Sequence, residues 1–180
     1  MLRLAVALTF VVSVWPYPVA AVSGDSLPSY VAPRHRHAIA AWLSHHPTYR
    51  LAVDADCSCA DDIAHVRAGN SPEWPPLPDY HPYYTVGDFR GDGAEDVAVG
   101  VISPQHRDKF RVLIIHGAPT KGRSAQTFLS EELDLRQGLF YGAPRPKPWR
   151  LLVGPFESDG VTLEPTPGGY KFSNEDSDDE

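Results

Sequence analysis

Short apolar runs separated by turn residues fill the chain from residue 83 onward, and this pattern predicts β-strands. The runs at 96–102 and 110–116 are almost continuously apolar, which is typical of central strands covered on both faces. A polar stretch at 103–109 is expected to form the hairpin loop between them. On the same grounds, shorter strands are expected at 49–53, 83–87, 138–141, 149–153, 161–164 and 170–172.

A helical period replaces this pattern near the N-terminus. Residues 34–45 are predicted to form a helix that ends before Pro47. Its apolar side chains fall on one stripe: Ala38, Ile39, Trp42 and Leu43. Residues 61–67 are expected to add one or two helical turns, and 124–135 a short helix or an irregular sheet edge. Together these elements predict an α+β fold, mainly an antiparallel β-sheet with the N-terminal helix packed on it, in a single domain.

The first 21 residues have the layout of an export signal. Arg3 precedes an apolar stretch, a proline-containing break follows, and small residues surround an expected cleavage after Ala21. The apolar stretch is shorter than the ~20 residues that span a bilayer. We therefore expect a periplasmic or secreted protein with no membrane span after signal cleavage, and a single domain at 22–172.

The formal net charge of the 180-residue chain is −7, and its last six residues contain five acids. Such a run is typical of a solvated, disordered end, so we expect residues 173–180 to form an acidic tail. The sequence has no basic stripe, and phosphate backbones demand clustered Lys and Arg. We therefore expect no nucleic-acid partner.

Cys57 and Cys59 are the only cysteines, and one residue separates them. An oxidising compartment makes a disulfide between them chemically accessible. Two free thiols, or a redox or metal role, are the alternatives. The neighbouring acids, which would raise the pKa of a thiol, count against a reactive thiolate.

Residues 88–96, here called the acidic loop, carry the most specific chemistry in the sequence. Carboxylates occupy its first, fifth and ninth positions, and a glycine occupies its sixth: Asp88, Asp92, Asp96 and Gly93. This spacing suits a hard cation that takes oxygen ligands, and calcium fits better than zinc. Two positions depart from a calcium loop, because the third is Arg90 and the twelfth is Val99 instead of a bidentate glutamate.

The segment at 86–100, VGDFRGDGAEDVAVG, resembles the second half of an FG-GAP or VCBS-type repeat. The resemblance implies calcium ligands from the side chains of Asp88, Asp92 and Asp96 and from the carbonyl of Ala94. Those repeats build propellers of ~4 to 8 blades, and this chain has one copy, so a propeller is not expected. The blocks at 78–89, PDYHPYYTVGDF, and at 138–160, GLFYGAPRPKPWRLLVGPFESDG, resemble small exported bacterial proteins of unknown function.

Arg90 leaves two interpretations of the acidic loop open. Its guanidinium could fold inward and serve as an internal cation for the carboxylates, through charge-assisted hydrogen bonds. Alternatively it could point outward while the carboxylates and one carbonyl hold a weakly bound calcium ion, completed by water. Calcium is the only cofactor expected.

Motifs typical of enzymes are absent from the sequence, which contains no GxSxG, HExxH, phosphate-binding loop or dinucleotide fingerprint. We expect a non-enzymatic binding or accessory domain that recognises a protein or envelope component. Candidate partner-binding residues lie in proline-rich aromatic segments: Trp74, Tyr80, Arg145, Lys147 and Trp149. The alternatives are an exported hydrolase that uses carboxylates and a calcium-stabilised structural module.

Overall fold

The structure is a computed structural model that describes residues 26–69, 75–117, 126–142, 147, 149–156 and 160–174. The predicted signal at 1–21, the partner candidates Trp74 and Arg145, and the end of the predicted tail, 175–180, lie outside these described residues.

A five-stranded antiparallel sheet forms around two long central strands. In chain order its strands are β1 (Arg50–Leu51), β2 (Tyr84–Gly87), β3 (Asp96–Ser103), β4 (His106–His116) and β5 (Gln126–Asp134). The order across the sheet is β1-β3-β4-β5, and β2 pairs with the same strand β3 that β1 does. The acidic loop is therefore the connection of a hairpin, because Gly87 pairs with Asp96 on its two sides.

Alternate residues of β3 face two different hydrophobic cores, as the side-chain period of a strand requires. Val97, Val99 and Val101 pack with α1 (Pro33–His45), whereas Ala98 and Ile102 pack toward a second sheet. All five side chains are at most 3% exposed. This confirms that β3 is covered on both faces.

Helix α1 begins at Pro33, where the missing N–H of proline would have no helical partner in any case. Its buried stripe includes Ile39, Trp42 and Leu43, which pack on the first sheet. The helix ends at His45, two residues before Pro47. The predicted N-terminal helix is confirmed, with its start one residue earlier.

The second sheet is also antiparallel and packs on the face of the first sheet that points away from α1. Its strands follow one another in space as in sequence: β6 (Gly138–Phe140), β7 (Leu151–Gly154), β8 (Val161–Thr166) and β9 (Gly169–Asn174). A short 3₁₀ helix (Asp54–Asp56) and α2 (Ala60–Ala68) follow β1, and Ile63 of α2 contributes to the same core. Gly69 ends α2 in the left-handed conformation at φ 67°.

Several boundaries differ from the sequence-based expectations, among them the following three. Within the expected helix or irregular edge at 124–135, residues 126–134 form a nine-residue strand, β5. The hairpin after β3 turns tightly, because Ser103 pairs with His106, so most of the expected loop at 103–109 is strand. Strand β9 continues to Asn174, two residues past the expected end of the domain. In each case backbone pairing with a neighbouring strand extends the ladder beyond the apolar run.

Within the described residues the chain is one α+β domain of mainly antiparallel sheet, not a propeller, as predicted. None of its described helices has the length and apolar character needed to cross a membrane.

Candidate functional site

The acidic loop begins with a carboxylate that folds back on its own backbone. Asp88 accepts hydrogen bonds from the backbone N–H groups of Asp92 (3.0 Å) and Gly93 (2.8 Å), one on each oxygen. These hydrogen bonds lower the pKa of the Asp88 carboxyl, and the bond from Gly93 has the largest effect. Gly93 has φ 81°, a conformation that glycine adopts without steric cost. Sequence spacing and glycine position therefore produce a closed turn.

Glu95, next in the loop, is bound to helix α1. Arg34 donates to both of its oxygens, at 2.5 and 3.0 Å, and His35 Nε2 lies 3.0 Å from one of them. The other ring nitrogen of His35 lies 3.1 Å from the Tyr84 hydroxyl, which accepts from the Ala32 N–H at 3.1 Å. A carboxylate only accepts, so His35 carries its proton on Nε2 and the Tyr84 hydroxyl donates to Nδ1.

This chain of bonds affects the acidity of its members. The hydrogen bond from Arg34 is the main cause that lowers the pKa of Glu95. Burial lowers the pKa of His35, partly offset by the negative charge of Glu95. We therefore assign His35 as neutral at pH 7. It is only 8% exposed.

Asp96, the last residue of the loop, is completely buried. One oxygen, Oδ1, accepts from the Gly117 N–H at 3.0 Å, and lies 3.2 Å from His116 Nδ1 and 3.5 Å from Arg90 Nη2. Its other oxygen, Oδ2, has no hydrogen-bond partner within the described residues. A buried carboxylate is costly unless positive or donor groups compensate it, and Arg90 and Gly117 are positioned to do so. His116 Nδ1 is close to Asp96 but makes no hydrogen bond within the described residues.

Side chains from the second sheet close the interior side of this cluster. Tyr170 stacks on His116 with ring centroids 5.6 Å apart. Burial is the main cause that raises the pKa of the Tyr170 hydroxyl, and the nearby negative charge of Asp96 raises this pKa further. The hydroxyl, like Asp96 Oδ2 and Arg90 Nε, is buried without a hydrogen-bond partner in the described part of the chain. The interior end of the loop is thus polar, while its surroundings are the main apolar core.

An aromatic group joins the acidic loop to the basic segment before β7. The Tyr141 hydroxyl donates to the Asp88 carbonyl at 2.8 Å, and the Tyr141 ring makes an edge contact with Phe89. On its other side Tyr141 meets Trp149 edge-on at 5.8 Å. Lys147 Nζ lies 4.8 Å from the centre of the Trp149 ring, a cation–π geometry. Two predicted partner-binding residues, Lys147 and Trp149, are therefore brought together beside the loop.

Tyr80, a third predicted partner-binding residue, is 8% exposed and stacks on Phe140 at 4.9 Å. A side chain this buried has almost no surface for a partner, so that prediction is corrected. The segment that contains it is fixed to α2 by two hydrogen bonds: the Leu77 N–H donates to the Val66 carbonyl at 3.2 Å, and Arg67 donates to the Tyr80 carbonyl at 2.9 Å. The proline-rich stretch, where described, covers the core.

Cys57 and Cys59 are joined by a disulfide, with their Cα atoms 5.1 Å apart. The residue between them, Ser58, has φ 50°, which is unusual for a residue other than glycine. The two cysteines are only 1% and 4% exposed. They line the main core next to α2, away from solvent.

A cavity of about 170 Å³ lies between the acidic loop and α1. Residues from both elements and from the ends of β3 and β4 line it, among them Arg34, His35, Ala94 and Glu95. Pockets for drug-sized ligands usually measure about 300–1,000 Å³. This cavity is therefore suited to water or a small ion, and its polar lining is already paired within the chain.

The predicted calcium ligands come close in sequence but do not converge on a common point. In the described residues, no group of three or more His, Cys, Asp or Glu side chains is arranged to hold a metal ion. Asp88 turns toward the loop backbone, whereas Asp92 and Asp96 both face Arg90. Sequence reasoning did not identify five further site residues. Tyr84 lies in β2, directly before the loop, whereas the others come from elements distant in sequence: His35, His116, Tyr141 and Tyr170.

No protein-family model, curated protein or solved structure matches this chain. The resemblance of the acidic loop to an FG-GAP or VCBS-type repeat therefore rests on its motif residues.

Proposed function

We propose that this chain is an exported, non-enzymatic binding or accessory domain. The observation that carries the proposal is that the carboxylates of the acidic loop are engaged within the fold. Asp88 binds loop backbone, Glu95 binds α1, and Asp96 is buried against Arg90 and the end of β4. Side chains that hold a hairpin in place are poorly suited to exchange protons with a substrate.

The acidity of the carboxyl groups gives a hydrolase no support. A carboxylic acid that donates a proton near neutral pH needs a raised pKa, as burial without a cation would produce. Where a shift is resolved in the described residues, every carboxyl pKa is instead lowered by hydrogen bonds or cations: Asp56, Asp88, Glu95, Glu132 and Asp134. An exported hydrolase that uses carboxylates remains the second interpretation.

The surface we assign to a partner is the aromatic–basic patch formed by Tyr141, Lys147, Trp149 and Arg150. Lys147 and Arg150 are exposed, while the two aromatic rings are half-buried and braced against each other. Rigid aromatic side chains flanked by cations are typical of binding surfaces, because they supply contact area at low entropic cost. The chemistry favours an acidic protein or an anionic envelope component.

Two features support export. The first is the signal-like pattern of residues 1–21, and the second is the Cys57–Cys59 disulfide, because disulfides persist mainly in oxidising compartments. Neither depends on the identity of the partner.

The proposal is tested by capture from envelope extract with three matched baits. Wild type is compared with Lys147→Glu, and with Arg107→Glu as a control of the same charge change. Arg107 is exposed near the start of β4, about 30 Å of strand away from the acidic-loop end. We expect one partner to bind wild type and the control, and to be lost from Lys147→Glu.

The captured partner is then purified and titrated against the three proteins. We expect only Lys147→Glu to bind the partner more weakly than wild type. This difference in affinity should disappear at high salt, because salt screens exposed charges. Absence of any specific partner, together with hydrolysis in a screen of peptide, ester and glycoside substrates, would show that the proposal is wrong.

A further inference from the structure

Arg90 occupies the third position of the acidic loop, where calcium-binding loops supply an oxygen ligand. Its Nη2 lies 2.9 Å from Asp92 Oδ2 and 3.5 Å from Asp96 Oδ1. The guanidinium therefore stands between the carboxylates of the fifth and ninth positions. Those are two of the side chains that would have to converge on a metal ion.

Burial makes this contact more consequential than an ordinary surface ion pair. Asp96 is completely buried, and the Arg90 side chain is only 30% exposed. Water screens such charges poorly, so an anion at Asp96 depends on the cations and donors around it. Arg90 is the permanently charged group among them, since an arginine does not lose its proton in a protein.

A divalent cation does not fit this arrangement. Asp88 directs both oxygens at backbone N–H groups, and Asp92 pairs with Arg90. An ion placed among the carboxylates would lie close to the guanidinium and be repelled by it. Among the loop carboxylates, and within the described residues, Asp96 Oδ2 is buried without a partner and would supply a single ligand, whereas calcium takes six to eight.

We infer that Arg90 is the built-in cation of the acidic loop, and that it makes the loop independent of calcium by occupying the place of the ion. The loop thereby keeps the carboxylate and glycine spacing of a calcium loop and closes without metal. The inference does not depend on the proposed partner, because it concerns how the β2–β3 hairpin is held.

The test is a substitution that converts the loop. Arg90→Asn removes the positive charge and restores an oxygen ligand at the third position, whereas Arg90→Lys keeps the charge. Melting temperatures are measured for wild type and both variants in 5 mM calcium and in chelator, and calcium binding is titrated directly by calorimetry. Arg107→Asn controls for loss of an exposed arginine elsewhere.

Wild type, Arg90→Lys and Arg107→Asn are expected to melt at the same temperature with calcium and with chelator. Arg90→Asn is expected to gain calcium binding. With a dissociation constant of ~10⁻⁴ M, 5 mM calcium would raise its melting temperature by about 5–9 °C. Adding Asp96→Asn to Arg90→Asn is expected to abolish the response.

Two results would overturn the inference. One is a calcium-dependent melt, or calorimetric calcium binding, in the wild-type protein. The other is a folded Arg90→Asn variant that binds no calcium. If Arg90→Asn does not fold in chelator, folding on addition of 10 mM calcium supports the inference, and failure to fold contradicts it.

Discussion

Tyr84→Phe removes the hydroxyl at which helix α1 and strand β2 are joined, and its effect can be worked out from the geometry. The hydroxyl accepts from the Ala32 N–H at 3.1 Å and donates to His35 Nδ1 at 3.1 Å. Each hydrogen bond contributes about 1 kcal/mol net, so the loss of two should cost about 2 kcal/mol. For a domain of this size that corresponds to a melting temperature lower by about 4–8 °C.

The neighbouring ion pair between Arg34 and Glu95 should contribute less to stability, although its atoms are closer together. Arg34 contacts Glu95 at 2.5 Å, but the two side chains are 61% and 45% exposed. Water screens such exposed pairs, so they contribute little to stability. Arg34→Met is therefore expected to destabilise the domain less than Tyr84→Phe does.

The assay is urea unfolding followed by tryptophan fluorescence and circular dichroism. Tyr49→Phe is the matched control, because the Tyr49 ring packs on Trp42 and its hydroxyl has no hydrogen bond among the described residues. The reasoning is refuted if Tyr84→Phe lies within about 0.5 kcal/mol of wild type, or destabilises no more than Tyr49→Phe. Combination with His35→Ala should give a less than additive loss, since the two residues share a bond.

Three further predictions concern other parts of the fold. Burial lowers the pKa of His35, so the unfolded chain binds a proton at this residue more readily than the folded chain does. The free energy of unfolding should therefore fall as pH drops below about 6.5, by at most ~1.4 kcal/mol per pH unit. Unfolding curves of His35→Gln between pH 7 and 5 should lack this component. Gly87→Ala would place a Cβ 2.2 Å from the Tyr141 ring and should cost about 1–3 kcal/mol, whereas Gly168→Ala, with nothing within 4 Å, should be nearly neutral in the same denaturation assay. The Cys57–Cys59 bridge closes a very short loop, so reduction should lower stability by only about 1.5 kcal/mol and leave a folded protein, which unfolding curves with and without reductant would check.

Local patterns predicted the elements whose apolar residues decide their structure. The continuous apolar run in β3 and the single stripe of α1 each have one way to be buried, and both form as expected. Strand β5 was missed because its charged residues interrupt the period, while its pairing with β4 comes from backbone groups that the sequence does not display. Strand existence was thus clearer than strand length.

The candidate site divides in the same way. The turn at Gly93 and the self-binding of Asp88 follow from residues a few positions apart, so spacing revealed them. The contact of Glu95 with His35 spans 60 positions, and that of Tyr141 with Asp88 spans 53. Pairs this distant are fixed by how α1 and the second sheet pack, which no local pattern encodes.

Strand β5 has a further consequence for a protein at high local concentration. It lies at the edge of the first sheet, where unpaired backbone groups can recruit a strand from another molecule. Glu131, Glu132 and Asp134 lie along this edge, and its pairing with β4 is interrupted by a register shift near Leu113. A strand from a second copy that paired with this edge would bring like charges together and meet an irregular ladder. The charged residues that interrupt the apolar period of β5 therefore also disfavour aggregation through this edge.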